Sequence, residues 1–323
     1  MRLGRDYTNC LVYDHLSEEQ KAAFQRGEID LGTMNALALE KAKKDVKLQL
    51  EITKALGLNH VELDGDSPNP YLDMSKEERQ HIRELAKSYD VTLSLHLPYS
   101  YVGGSICAPQ ESDRRIAVKI HKQCIQFAAD VGAIYVNTHP GTAPFWHRMG
   151  WYLNLITESL KKSLEELGKM CNDLGIALHL ENNTAFDEIF SELPDCIRIV
   201  REMREKDVEI FLNFDIGHWF TRADNGKDVP DPPENIMEEI PADFIKELHL
   251  NDYVPGEKMF HPPLHLEWGL LKRANLGRYA RIVKRKGVET IVLETALKSV
   301  EQVLERKELL QKETAYIKSI MEA

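Results

Sequence analysis

Short apolar runs alternate along the chain with longer segments whose apolar residues recur at helical spacing. The runs are rich in β-branched residues and predict strands at 60–63, 92–95, 134–137, 176–180, 210–214, 245–250 and 290–293, with an earlier strand inside 2–13. The longer segments predict amphipathic helices at 41–57, 75–89, 111–131, 153–174, 187–206, 234–243, 273–286 and 298–321. A glycine follows several of these helices, as it does at helix C-caps, and this supports their ends.

This alternation predicts an α/β fold with parallel strands, because a right-handed crossover returns the chain to the same edge of the sheet. Eight such units predict a (β/α)8 TIM barrel as one domain over 1–323. We expect loop insertions at 14–40 (after strand one), 219–233 and 252–270, and a C-terminal helix at 298–323. An open doubly wound sheet is the alternative, but its nucleotide-binding form has no support, since no G-x-G-x-x-G follows the first strand.

Composition narrows the class of protein. Hydrophobic residues make up 43% and charged residues 29% of the chain, as in folded proteins with a large core. The net charge of −11 disfavours binding to nucleic acid, although it does not exclude a local basic groove. The N-terminus lacks the apolar centre of a signal peptide and no run reaches the ~18 apolar residues of a membrane span. Five cysteines without a C-x-x-C pair disfavour a disulfide framework, so we expect a reducing, cytoplasmic location.

Nearly every predicted strand ends in a residue that can bind a metal. In a parallel barrel these ends form the active-site face. Each residue alone has a simpler explanation, such as a helix N-cap for a carboxylate. Several carboxylates buried together, however, cost free energy through desolvation and repulsion unless a cation compensates them. Imidazoles beside carboxylates predict zinc, manganese or cobalt, and disfavour calcium and magnesium. The residues are His96, His139, Glu181, Asp215, His218, His249 and Glu294, with His265 in the loop after strand seven.

Six strand-end motifs carry a resemblance to a known family. They are H-x-P-Y at 96–99, H-P-G at 139–141, L-E-N at 180–182, D-x-G-H at 215–218, H-L-N-D at 249–252 and L-E-T at 293–295. In this order they resemble the xylose isomerase-like barrel superfamily of sugar isomerases, sugar epimerases and endonuclease IV-type abasic-site nucleases, over about 44–296. The resemblance to the sugar enzymes implies one divalent ion, held by Glu181, Asp215, His249 and Glu294.

The nuclease branch implies a three-zinc cluster. Its extra ligands would fall on His96, His139, His218 and His265, together with an aspartate at position 263. Pro263 stands at that position, so a third metal would lack a carboxylate unless Asp252, His261 or Glu267 replaces it.

The loops favour a small ligand over duplex DNA. The loop at 99–106 contains no lysine or arginine, whereas phosphate contacts supply most of the affinity for DNA. Aromatic residues in and near the loops fit stacking on a sugar ring or capping of the core. The candidate substrate contacts are His96, His139, Trp219, Lys258 and His265.

We therefore expect a metal-dependent isomerase or epimerase of a sugar or a related polyhydroxy compound. A metal that chelates two neighbouring oxygens acidifies the C–H between them and stabilises the enediolate. The resemblance implies that Glu181 and Glu294 act as base and acid and that His218 orients a hydroxyl. The alternative is an endonuclease IV-like, zinc-dependent abasic-site or damage-specific DNA nuclease. Another hydrolase, a dehydratase and a barrel that binds without turnover are further alternatives. The sequence is also compatible with a homo-oligomer.

Overall fold

The computed structural model describes residues 1–322, and its centre is a barrel of eight parallel strands. They are joined in the order β6-β5-β4-β3-β2-β1-β10-β7, and a parallel bridge between Leu212 and Ile245 brings the two outer strands together. The predicted single-domain (β/α)8 barrel is confirmed. The barrel strands are β1 (Arg2–Asp6), β2 (His60–Asp64), β3 (Thr92–His96), β4 (Tyr135–Thr138), β5 (Ala177–Glu181), β6 (Ile210–Asn213), β7 (Glu247–Leu250) and β10 (Thr290–Leu293). A separate antiparallel hairpin follows β7, formed by β8 (Tyr253–Val254) and β9 (Met259–Phe260).

Helices surround the barrel, and local sequence accounts for their ends. Ser75 and Glu78 form a capping box at the start of α4, and Gly132 closes α5 in the left-handed region with φ of 77°. The helices are α1 (Glu18–Gln25), α2 (Leu31–Lys44), α3 (Val46–Ala55), α4 (Lys76–Tyr89), α5 (Glu111–Val131), α6 (Gly150–Leu174), α7 (Leu193–Arg204), α8 (Ile216–Phe220), α9 (Arg273–Lys286), α10 (Val300–Leu304) and α11 (Arg306–Met321).

Four predicted helices differ from the observed elements. The helix expected at 187–206 is shorter, because α7 begins only at Leu193, after a 3-10 turn at 185–187. The helix expected at 41–57 is divided at Asp45, whose carboxylate accepts a hydrogen bond from the amide of Leu48 and caps α3. The segment 234–243 forms 3-10 turns at 233–239 and 242–244, because prolines at 232, 233 and 241 restrict the backbone and remove donors. The C-terminal helix expected at 298–323 is divided at Glu305 into α10 and α11.

The insertion expected at 14–40 after the first strand contains α1 and most of α2. Its apolar residues Phe24, Met34 and Ala38 are buried in the continuous core that also holds the barrel strands. Within the described residues no helix combines the length and the hydrophobicity that crossing a bilayer requires.

Candidate metal centre

The carboxyl ends of four strands bring together the four residues that the sequence singled out as metal ligands. Glu181 ends β5, His249 lies in β7, and Asp215 follows β6 as the N-cap of α8. Glu294 follows β10. Glu181, Asp215 and His249 are fully buried. The ligand atoms of these three residues lie within 4.8 Å of one another.

Glu181 lies at the middle of this group. Its Oε2 is 3.3 Å from Nδ1 of His249 and 3.2 Å from Nε2 of His96. Its Oε1 is 3.3 Å from Nδ1 of His218 and 3.8 Å from Nε2 of His139. One carboxylate therefore touches four imidazoles, and the three residues His96, His139 and Glu181 form a second possible ligand set.

An asparagine joins the other two carboxylates. The side-chain amide of Asn251 donates to Oδ2 of Asp215 at 2.6 Å and to Oε2 of Glu294 at 2.8 Å. The second oxygen of Glu294, Oε1, lies 3.1 Å from Nδ1 of His249. Asp215 also accepts from the backbone amide of His218. Asn251 thereby orients both carboxylates, and the remaining oxygen of Glu294 is directed at His249.

The pKa shifts in the centre show that its buried carboxylates are stabilised by positive charge on their neighbours. Burial works against ionisation, but His249 and His139 hold the pKa of Glu181 well below its usual value, and His249 does the same for Glu294. Burial also lowers the pKa of an imidazole, yet the acidic neighbours Glu181 and Asp215 raise the pKa of His218 to about 10.

The pKa values of Asp215 and His139, in the same centre, shift in the opposite direction to those of Glu181 and His218. Burial raises the pKa of Asp215 to about 7, although His218 partly offsets it. Burial lowers the pKa of His139 to about 4, and so keeps that imidazole neutral. A neutral imidazole is the form that binds a metal.

These residues fit a divalent metal ion. Oε1 of Glu181 and Nδ1 of His249 are buried without a hydrogen-bond donor or acceptor of suitable geometry, although both lie inside the centre. An unpartnered buried polar atom is costly, and a shared cation satisfies both atoms at once. The donor set of imidazole nitrogen and carboxylate oxygen is one that zinc and related divalent ions accept.

A further carboxylate, that of Glu62, orients His249 from inside the barrel. Nε2 of His249 lies 2.8 Å from Oε1 of Glu62, and Glu62 also accepts from Ser94 and from the amide of Asn137. Asn137 donates in turn to Glu247 at 2.9 Å. All of these side chains are buried inside the barrel. Glu62 therefore holds one ring nitrogen of His249 and leaves the other directed at Glu181 and Glu294.

The structure places three of the predicted substrate contacts away from this centre. Trp219 is buried in α8 beside Phe214 and Phe220. Lys258 is exposed in the β8–β9 hairpin with its ammonium 5.5 Å from the ring of Phe186. His265 lies in a 3-10 turn whose first residue, Leu264, donates its amide to Glu313 of α11. None of the three lines the cavity over the metal ligands, so a substrate role for them stays a prediction.

His261 reaches the centre, although Pro263 stands where the nuclease branch has an aspartate ligand. Its Nδ1 lies 3.7 Å from Oε2 of Glu294, and it groups with Asp215 and His218 as a further ligand set. Its backbone has φ of 53° and donates to the carbonyl of Asp252. Asp252 itself accepts three backbone amides, and Glu267 accepts from Tyr316, so neither carboxylate is directed at the centre.

A cavity of about 240 Å³ opens above the centre. This is below the ~300–1,000 Å³ usual for drug-sized ligands, and so suits a small molecule. Five carboxylates and one lysine line it, together with the imidazoles of His96, His139, His218 and His261. The carboxylates are Asp6, Asp64, Asp66, Glu181 and Glu294, and the lysine is Lys43.

Sequence reasoning missed several of these residues. Glu62 is a charged residue inside a buried strand, which was a usable signal for a role within the barrel. Asn251 was visible within the H-L-N-D motif, but only coordinates show that it joins Asp215 to Glu294. Lys43 gave no signal, because it lies on a helix far along the chain from the strand-end motifs.

Comparison with known proteins places the chain in context. Over 169 residues it is 28% identical to "Uncharacterized protein MJ1614" of Methanocaldococcus jannaschii, covering 52% of this chain and 59% of that protein. Over 186 residues it is 24% identical to "Probable endonuclease 4" of Aquifex aeolicus, covering 55% and 61%. The chain thus spans about three-fifths of the length of these curated relatives.

Solved structures share the fold at low sequence identity. D-psicose 3-epimerase of Clostridium cellulolyticum H10, solved with D-tagatose, has a TM-score of 0.68 at 13% identity, with coverage of 100% of this chain and 98% of that one. The IOLI protein, solved with a zinc atom, has a TM-score of 0.65 at 14% identity, with coverage of 99% and 98%. A model of the family described as "Xylose isomerase-like TIM barrel" matches residues 50–320. The chain therefore belongs to the xylose isomerase-like TIM barrel family.

Proposed function

We propose that the protein is a metal-dependent isomerase or epimerase of a sugar or a similar polyhydroxy compound. The observation that carries this proposal is that the carboxylates of Glu181 and Glu294 both lie beside the imidazole of His249. Their oxygens lie 3.3 Å and 3.1 Å from Nδ1 of His249, at the floor of a small cavity. Two carboxylates beside one cation site, one to act as base and one as acid, are what a reaction that removes and returns a carbon-bound proton requires.

Glu181, Asp215, His249 and Glu294 would hold the divalent ion. When bound, the ion polarises neighbouring carbonyl and hydroxyl oxygens and so acidifies the C–H between them. Glu181 then removes that proton and Glu294 returns one, or the two exchange roles for the reverse reaction. The low pKa of Glu181 keeps it ionised, as a general base must be, whereas Glu294 takes up a proton from solvent before it returns one to the substrate. His218 orients a substrate hydroxyl from the side of Asp215.

The lining of the cavity supports a sugar over a phosphodiester. Five carboxylates line the cavity against Lys43 and the His218 imidazole, whose pKa is raised, and this excess of acidic groups disfavours phosphate and suits hydroxyl groups. The fold likeness to D-psicose 3-epimerase supports the same class of substrate.

A nuclease is the second candidate. It is favoured by the ligand set His96, His139 and Glu181 and by the partial likeness to "Probable endonuclease 4". In that case the residues would serve metals that generate hydroxide at a phosphodiester.

Hydrogen exchange tests the proposal. The protein with its bound metal is incubated in D2O with D-fructose, D-tagatose or D-psicose, and deuterium incorporation next to the carbonyl is followed by NMR. We expect exchange by the wild type, a loss of about 10²–10⁴-fold in Glu181→Gln, and no loss in the exposed control Glu209→Gln. Absence of exchange together with cleavage of an abasic oligonucleotide would replace this function by the nuclease.

A further inference from the structure

The cavity has a second group of charged side chains that the proposed chemistry does not use. Asp6 ends β1, Asp64 ends β2, and Lys43 comes from α2 in the segment before β2. All three line the same cavity as Glu181 and Glu294. We call them the β1–β2 subsite.

Lys43 is held firmly and yet keeps donor capacity. Its side chain is 2% exposed, and its Nζ lies 2.8 Å from Oδ2 of Asp64 and donates to the carbonyl of Asp66 at 2.8 Å. An ammonium carries three N–H donors, so one remains after these two contacts. Leu39, one helical turn earlier on the same face of α2, also lines the cavity. The inserted helix therefore covers the barrel's own mouth and delivers a cation to it.

Asp6 offers the complementary group. Its described hydrogen bonds fall on Oδ1, which accepts from the amide and the hydroxyl of Thr8, both at 2.7 Å. Oδ2 keeps its capacity to accept. The subsite thus presents an acceptor on Asp6 and a donor on Lys43, while Asp64 positions the lysine.

Charge and donor pattern define the ligand class. The one cation of the subsite, Lys43, is already paired with Asp64, and Asp6 and Glu294 place further carboxylates in the same cavity, so a phosphate or carboxylate group finds no free positive charge there. An amine satisfies Asp6 but cannot accept from Lys43. A hydroxyl does both, because it donates one hydrogen bond and accepts others.

We propose that the β1–β2 subsite binds the uncharged, hydroxyl-bearing end of the substrate and excludes substrates phosphorylated at that end. This specificity rests on the proposed function, because it assumes a polyhydroxy substrate whose reacting carbon lies at the metal centre.

Calorimetry on the metal-containing protein tests the subsite with D-fructose, D-tagatose and D-fructose 6-phosphate as probes. The wild type should bind at least one free ketose about tenfold or more tightly than the phosphate. Lys43→Met and Asp6→Asn should each weaken ketose binding by about tenfold or more at unchanged metal content. Two exposed residues that do not line the cavity supply matched controls, Lys44→Met and Asp73→Asn, which should bind like the wild type.

Three results would overturn the subsite: equal or tighter binding of the phosphate, unchanged ketose binding in Asp6→Asn, or no ketose binding by the wild type. Asp6→Asn keeps the test valid if Lys43→Met fails to fold, since Asp6 takes no part in the lysine pair. Hydrogen exchange separates the two proposals. Ketose exchange that continues unchanged in these variants removes the subsite alone, whereas normal subsite binding without Glu181-dependent exchange removes the proposed reaction alone.

Discussion

Nε2 of His249 lies 2.8 Å from Oε1 of Glu62, at a depth in the barrel where both side chains are almost fully buried. A histidine that donates one ring proton to a carboxylate presents the other nitrogen as a basic ligand in a fixed orientation. That second nitrogen, Nδ1, lies 3.3 Å from Oε2 of Glu181 and 3.1 Å from Oε1 of Glu294. Glu62 is therefore the residue that sets the orientation of the ligand.

Glu62→Gln should lower the affinity for the bound divalent ion by about 10–100-fold, because the amide is a weaker acceptor and its NH2 opposes the donating amide of Asn137. Competition against a fluorescent zinc chelator measures this affinity. Glu209→Gln is the control, since Glu209 is exposed. An unchanged affinity in Glu62→Gln would show that His249 needs no orienting partner.

Gly217 in the D-x-G-H motif leaves room for the asparagine that joins two carboxylates. A Cβ at this position would lie 1.7 Å from Oδ1 of Asn251. Gly217→Ala should displace Asn251, reduce metal affinity and lower the free energy of unfolding by about 1–3 kcal/mol. Gly32→Ala, where the nearest atom is 3.7 Å away, should do neither. Chemical denaturation and metal competition measure both effects, and normal metal binding by Gly217→Ala would mean that Asn251 is not needed for the centre.

The C-terminal helix α11 is joined to β1 by a buried ion pair. Nη2 of Arg5 lies 2.8 Å from Oε2 of Glu313, and both side chains are inaccessible to solvent. Glu313→Gln should lower the free energy of unfolding by about 3–5 kcal/mol, because it leaves the guanidinium charge uncompensated.

Glu308→Gln on the same helix provides the comparison for Glu313. Glu308 pairs with Lys312 at the surface, so its loss should change stability little. Denaturation curves of the two variants should separate clearly. Equal midpoints would contradict a stabilising role for the Arg5–Glu313 pair.

The five cysteine thiols should be unreactive in the folded protein. All five are buried and free, and burial raises the pKa of each to about 12. Since the thiolate is the reactive form, a colorimetric thiol reagent at pH 8 should label almost none of them before denaturation and all of them afterwards. Rapid labelling of a thiol in the native protein would contradict this packing.

Much of the fold was predictable because the barrel follows local rules. The helix expected at 111–131 begins and ends as predicted, since Gly132 can adopt the left-handed conformation that ends it. The strands were found because buried parallel strands read as short apolar runs that end in polar residues.

Other parts depend on contacts that the sequence does not reveal. The division at Asp45 places α2 so that Lys43 reaches Asp64. Because Pro263 replaces an aspartate ligand of the nuclease branch, the sequence does not show which residues would complete a third metal site. The β8–β9 hairpin returns the chain to the carboxyl ends of the strands and brings His261 beside Glu294. The order of the strand-end motifs was enough to predict the metal centre. It could not assign Lys43 or His261 to the centre, because both reach it from segments outside these motifs.

Metal analysis of the purified protein tests the central claim most directly. If Glu181, Asp215, His249 and Glu294 hold a common ion, mass spectrometry should find about one tightly held divalent ion per chain. It should find far less in Glu181→Gln and the wild-type amount in Glu209→Gln. Three zinc ions per chain, or full metal retention in Glu181→Gln, would contradict the account.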